Sequence, residues 1–214
     1  MTLESTFLIK STLFDRDRLL TVHPDYLAFD DNDLISAGPT TIEKSDIESF
    51  RFGIDRIAGL YFVIGRTYRI EVRDHEGNTV KIRLRSIYGV RKKKLGTKYK
   101  KIYDALHSTY FNDLGLHYVR LVNDSLPFKL AGVTLTPEAI VDPKVGTLSW
   151  NSIGLKAYTT YFAIYDKSHP KNYHAFDYGI EWNAVLLYSV LDFILRKKQD
   201  GYPNESRGVS PERN

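Results

Sequence analysis

A chain of 214 residues fits one large domain or two small ones, and 43% hydrophobic with 26% charged residues is a globular rather than a disordered composition. It contains no cysteine, which excludes disulfides and thiolate metal sites. The net charge of +4 is unevenly spread: four basic and ten acidic residues in 1–50, fifteen and four in 51–101, eleven and twelve in 102–214. A polyanion-facing surface is therefore expected in the middle segment alone.

The N-terminus MTLESTFLIK lacks the basic region of a secretory signal, and its apolar run Phe7-Leu8-Ile9 is short. The most apolar window, Ala184 to Leu195, is shorter than a spanning helix and is broken by Ser189 and Asp192. Both features lead to the expectation of a cytoplasmic protein, at most peripheral to a membrane. Asp30, Asp31 and Asp33 lack the order of a calcium loop and read as a solvated connection.

Tyr68, Ile70 and Val72 alternate with Arg69, Glu71 and Arg73, then the turn DHEGN leads into Val80, Ile82 and Leu84 alternating with Lys81, Arg83 and Arg85. Two period-2 runs around a glycine turn predict a β-hairpin with an apolar face and a cationic face. The stretch RKKKLGTKYKK, Arg91 to Lys101, holds seven cations in eleven residues. From Thr97, apolar Tyr99, Ile102, Tyr103, Leu106 and Tyr110 recur at helical spacing, with Ile102 and Leu106 expected in the core.

Further on, TTYFAIY, the turn DKSHPKN and YHAFDYGI predict a second hairpin, with Pro170 in its turn. A second helix follows Asn183, an expected N-cap, and ends on the cations Arg196, Lys197 and Lys198. It is apolar nearly all round and needs cover on more than one side, so self-association or the packing of a partner through this region is expected. The polar stretch 199–214 reads as a disordered tail.

The chain repeats itself. Leu20–Leu27 matches Val133–Ile140 in the pattern aliphatic, Thr, aliphatic, any, Pro, acid, any, aliphatic. Thr41–Ile47 matches Thr147–Ile153 further along, and in each half a hairpin and a terminal helix follow. The segments Thr134-Leu135-Thr136-Pro137-Glu138 and Thr147-Leu148-Ser149-Trp150-Asn151-Ser152-Ile153 resemble the bacterial pleckstrin-homology-like (PH-like) pattern, although Lys44 stands where the second half has Trp150. The resemblance implies a mainly β fold with α (α+β): two tandem bent antiparallel sheets or barrels, each closed by one C-terminal helix. The division would be 1–113 and 114–198. It also implies a binding scaffold for lipids, peptides or protein copies, without catalysis.

No catalytic motif is present. There is no nucleophile elbow, Walker loop or dinucleotide fingerprint, and no cofactor is expected. His23, His75, His107, His117, His169 and His174 form no zinc spacing; His169 and His174 alone bracket a turn where they could meet. Trp150 and Trp182 read as core or inter-domain anchors.

The candidate binding residues are the hairpin cations Arg69, Arg73, Lys81, Arg83 and Arg85. To them are added Arg91, Lys92, Lys93, Lys94, Lys98 and Lys101, on the expectation that the basic linker folds back along the hairpin face. Such a patch suits an anionic membrane surface or an acidic protein. A nonspecific nucleic-acid-binding module is the alternative; no reader helix or base-stacking motif supports it.

Overall fold

A computed structural model describes residues 4–10, 15–31 and 38–199. Residues 200–214 of the expected tail, and Asp33, lie outside the described residues; Gln199, the first residue of that expected tail, ends a helix instead. The chain opens with an antiparallel four-stranded sheet: β1 (Ser5–Ile9), β2 (Arg18–Val22), β3 (Tyr26–Phe29) and β4 (Thr40–Glu43). A 3-10 turn at Lys44–Asp46 leads into a three-stranded meander of β5 (Ile47–Ala58), β6 (Val63–Asp74) and β7 (Thr79–Ile87). A continuous helical run comes next: α1 (Lys92–Leu106), a π-helical turn His107–Phe111, and α2 (Asn112–Asn123).

The same plan then recurs. β8 (Phe128–Leu130), β9 (Val133–Leu135), β10 (Ala139–Asp142) and β11 (Gly146–Ser149) form a second sheet of four. β12 (Ile153–Ala157), β13 (Tyr161–Asp166) and β14 (Tyr173–Asp177) form a second meander, and α3 (Ala184–Gln199) ends the described chain. The protein is thus mainly β with α. Each sheet orders its strands as sequence neighbours, and none of the four sheets closes on itself.

The likeness of the halves extends to individual backbone hydrogen bonds. The N–H of His23 donates to Tyr26 O at 3.0 Å, as Thr136 does to Ala139 O at 2.9 Å. Gly59 donates to Phe62 O at 2.7 Å, as Tyr158 does to Tyr161 O at 2.8 Å. His75 donates to Asp46 O at 3.1 Å, as Lys167 does to Ser152 O at 2.8 Å. At both hairpin turns an aspartate side chain accepts the N–H two residues on: Asp74 from Glu76 at 3.0 Å, Asp166 from Ser168 at 2.8 Å. Asx turns of this kind depend on a short acceptor side chain and leave most other positions free to vary. Side-chain identity can therefore drift while the path is kept.

Period-2 alternation does what the sequence implies. Tyr68, Ile70 and Val72 of β6 and Val80, Ile82 and Leu84 of β7 are buried on one face. α1 covers that face with Leu95, Ile102 and Leu106. Ile102 and Leu106 are fully enclosed, each contributing about 1.5–3 kcal/mol relative to exposure. In the π-helical turn three consecutive residues, Thr109, Tyr110 and Phe111, are all buried. Tyr110 donates its hydroxyl to His23 O and Tyr26 O in the β2–β3 turn, and Phe111 stacks on Phe50 of β5.

One expectation is corrected here. The residues expected as a basic linker begin α1 instead. The apolar helix α3 packs against α2 of the same chain, where Gly115 lies against Leu186. The helical run also passes through residue 113, the expected division, and the buried side chains of both halves join in one contiguous cluster. Among the described residues no helix is long and apolar enough to cross a membrane.

Candidate functional site

The outward face of the β5–β7 meander carries the expected cations, but much of it is used internally. Glu71, with its side chain 1% exposed, sits at the centre. It accepts from Arg51 at 2.6 and 2.8 Å, and Arg83 lies 3.3 Å away. Burial alone would raise the Glu71 carboxyl; the hydrogen bond and charge of Arg51, helped by Arg83 and Arg69, outweigh it and hold the group below its ordinary value.

A strap from the second half lies across the same face. Phe52 N–H donates to Tyr178 O at 3.2 Å, and Asn183 N–H donates to Phe50 O at 2.9 Å, so the β14–α3 connection lies along β5. Arg51 and Arg69 donate to Ile180 O and Gly179 O, each at 2.7 Å. The Trp182 ring meets both Arg51 and Arg73, whose guanidinium carbons are 4.3 and 4.5 Å from its centroid. Arg73 also reaches Glu48 at 3.3 Å and Ser49 Oγ at 3.1 Å. Arg69 and Arg73, expected on an open binding face, are therefore part of the contact between the halves. Trp182 is an anchor there, and Trp150 is buried in the second half.

The stretch after Arg91 does not fold back along this face. Arg91 takes a left-handed backbone at φ 57, and Lys92, Lys93 and Lys94 form the first turn of α1, on the opposite side of the sheet. Lys98 donates to Leu8 O of β1 at 2.6 Å, and Lys101 is exposed on the helix. Lys81 and Arg85 stay on the outer face, exposed. The eleven expected residues are thus divided between two sides of a sheet.

What the structure does bring together is an end of the meander. Arg56 pairs directly with Arg66 across the β5–β6 ladder, both exposed. Like charges on one rung repel. Tyr68, two positions along β6 from Arg66 and on the same face, donates its hydroxyl to Lys92 O at 3.4 Å, which sets the start of α1 beside this end. That first turn holds three lysines and no acid, against the helix dipole. Among the described residues Arg56, Arg66, Arg91, Lys92, Lys93 and Lys94 make no ion pair. Arg56 and Arg66 went unnoticed in sequence because their convergence depends on strand register.

The histidines do not meet. His174 is buried with Nδ1 2.8 Å from Asp142 Oδ2, while His169 is exposed beside Asp166. The other Asp142 oxygen accepts the Lys144 and Val145 N–H groups at 2.7 and 3.0 Å, so this pair ties the β10–β11 turn to β14. A separate cleft of 320 Å3 lies where α2, β8 and α3 meet, lined by Val122, Leu126, Phe128, Trp150, Ile194 and Lys197. Two lysines line it: Lys197 donates to Asn123 Oδ1 at 3.1 Å, and Lys198 Nζ lies 6.0 Å from the centroid of the Trp150 ring.

No family model matches the chain, and no curated protein or solved structure is found to be similar to it.

Proposed function

We propose that this is a non-catalytic binding protein of two PH-like units in tandem, docking on an anionic membrane surface through the cationic end of its first unit. The repeated order of four strands, three strands and helix supports the tandem reading. The observation that carries the docking site is the Arg56–Arg66 rung beside a helix start rich in lysine. Both placements are locally unfavourable, each by roughly 0.2–1 kcal/mol, and both are relieved by an anion. Phosphate-bearing headgroups present such anions over a broad plane.

Arg56, Arg66, Lys92 and Lys93 at such a surface contribute about 1 kcal/mol each, giving a Kd of about 1 mM from charge alone. Attachment of this kind is reversible and is screened as salt rises. Co-sedimentation with vesicles of phosphatidylcholine and phosphatidylserine in equal parts, across a salt series, tests the reading. Binding at low salt that vanishes for Arg56→Glu with Lys92→Glu is expected. Tight binding to duplex DNA with no sedimentation would replace the lipid surface with nucleic acid.

A further inference from the structure

The cationic end is capped by an apolar projection. The β5–β6 connection reads Gly59-Leu60-Tyr61-Phe62 and leads into Val63 of β6, and its side chains stand in solvent: Leu60 95%, Tyr61 94% and Phe62 65% exposed. Beside it the β7–α1 turn exposes Tyr88 and Val90. Consecutive exposed apolar residues on a turn are unusual on a water-facing surface and mark an interaction site.

This end is built rather than loose. Gly59 N–H closes the tip on Phe62 O at 2.7 Å, and Tyr88 N–H donates to Ile64 O at 2.7 Å, binding the two turns together. Ser86 Oγ donates to Val90 O at 2.9 Å. Tyr88 holds φ 48 and Arg91 φ 57, left-handed conformations that side chains other than glycine adopt at a cost. The hydrogen bonds fix the backbone of the two turns, on which these apolar side chains stand exposed.

We propose that residues 59–63, with Tyr88, insert into the headgroup–acyl boundary of an anionic membrane. The inference rests on the docking reading above and adds to it an apolar anchor. Shape and charge complementarity select the occupant. A convex finger at the end of two long strands fits a deformable layer better than a flat protein face. Tyr61, Tyr88 and Phe62 are amphipathic or aromatic groups that favour the interface. Arg56 and Arg66 lie two rungs below the tip's last pair, Ala58 with Val63, where they would meet phosphates as the tip enters. At about 3.3 Å per residue, the tip reaches roughly the 5–10 Å depth of an interfacial element.

The chain has no cysteine, so Phe62→Cys carries a single environment-sensitive dye. Added to the same phosphatidylcholine and phosphatidylserine vesicles, the labelled protein should show a blue shift, and lipid-borne quenchers should reach the dye. In unlabelled protein, Tyr61→Ser with Phe62→Ser should lower vesicle affinity tenfold or more at high salt, where charge is screened. Binding at low salt should survive this change. Sedimentation without a blue shift, or with the serine variant unaffected at high salt, overturns insertion and leaves electrostatic docking standing. No sedimentation at any salt overturns both.

Discussion

The side-chain oxygen of Asn183 accepts the backbone N–H of Phe50 at 3.0 Å, across 133 residues of sequence. Its amide nitrogen donates to Glu48 O at 3.2 Å, and its backbone N–H donates to Phe50 O. Asn183 stands where an N-cap residue of α3 should stand, and Leu187 N–H does bond its carbonyl at 2.8 Å. Its carboxamide, however, is spent on β5. One side chain thus joins the second repeat to the edge of the first.

Asn183→Ala should therefore cost about 2–3 kcal/mol, from a buried amide left unpaired and a left-handed backbone at φ 60. Asn183→Gly, which keeps the backbone freedom, should lose less. Urea unfolding of both variants measures the difference. Equal loss would mean that the hydrogen bonds, not the backbone, dominate.

Glu71→Gln should destabilise by about 2 kcal/mol, since Arg51 and Arg83 lose their counter-charge in a largely covered site. The folded carboxyl is held below its ordinary value of 4.5, so the unfolded chain binds more protons in between. Stability from this group is full above that value and is lost as pH falls through the lowered folded one. Thermal melts from neutral to acid pH should fall more gently in the variant.

Arg66→Glu separates stability from function. It turns a repulsive rung with Arg56 into an attractive one, so melting temperature should hold or rise, by roughly 0.2–1 kcal/mol in stability. Vesicle affinity at low salt should fall. A variant that binds as tightly as the wild type would remove this end of the meander from the docking surface.

Gly65→Ala tests how the tip is held. A Cβ there would sit 2.3 Å from Ser86 O and 3.2 Å from Ile57 Cδ1, forcing β6 away from β7. A loss of about 1–3 kcal/mol is expected. Faster amide exchange around residues 63–66 and 85–88 would place the damage there.

Much of the local structure was legible in the sequence because it depends on near neighbours. Alternation marks both hairpins, helical spacing marks the buried Ile102 and Leu106, and the Pro-acid and Thr-led segments reveal the repeat. The strap was not legible. Tyr178–Asn183 carries no periodic signal, and its partners lie more than 100 residues away in sequence. Nor was the apolar tip, since a run such as Leu60-Tyr61-Phe62-Val63 between glycines reads as core until the strands around it show that it projects.

The amino-acid order by itself determined the strand and helix periods, the twofold repetition and the concentration of positive charge in 51–101. The periods are set by side chains one to four positions apart, and the repetition and the charge distribution are read directly from the order of residues along the chain. Only the tertiary structure decided which cations stay free. Arg69 and Arg73 are drawn into the contact with the strap, while Arg56, Arg66 and the start of α1 are left together at one end. That choice depends on strand register and on which face the helix covers, and both are settled by packing between distant parts of the chain.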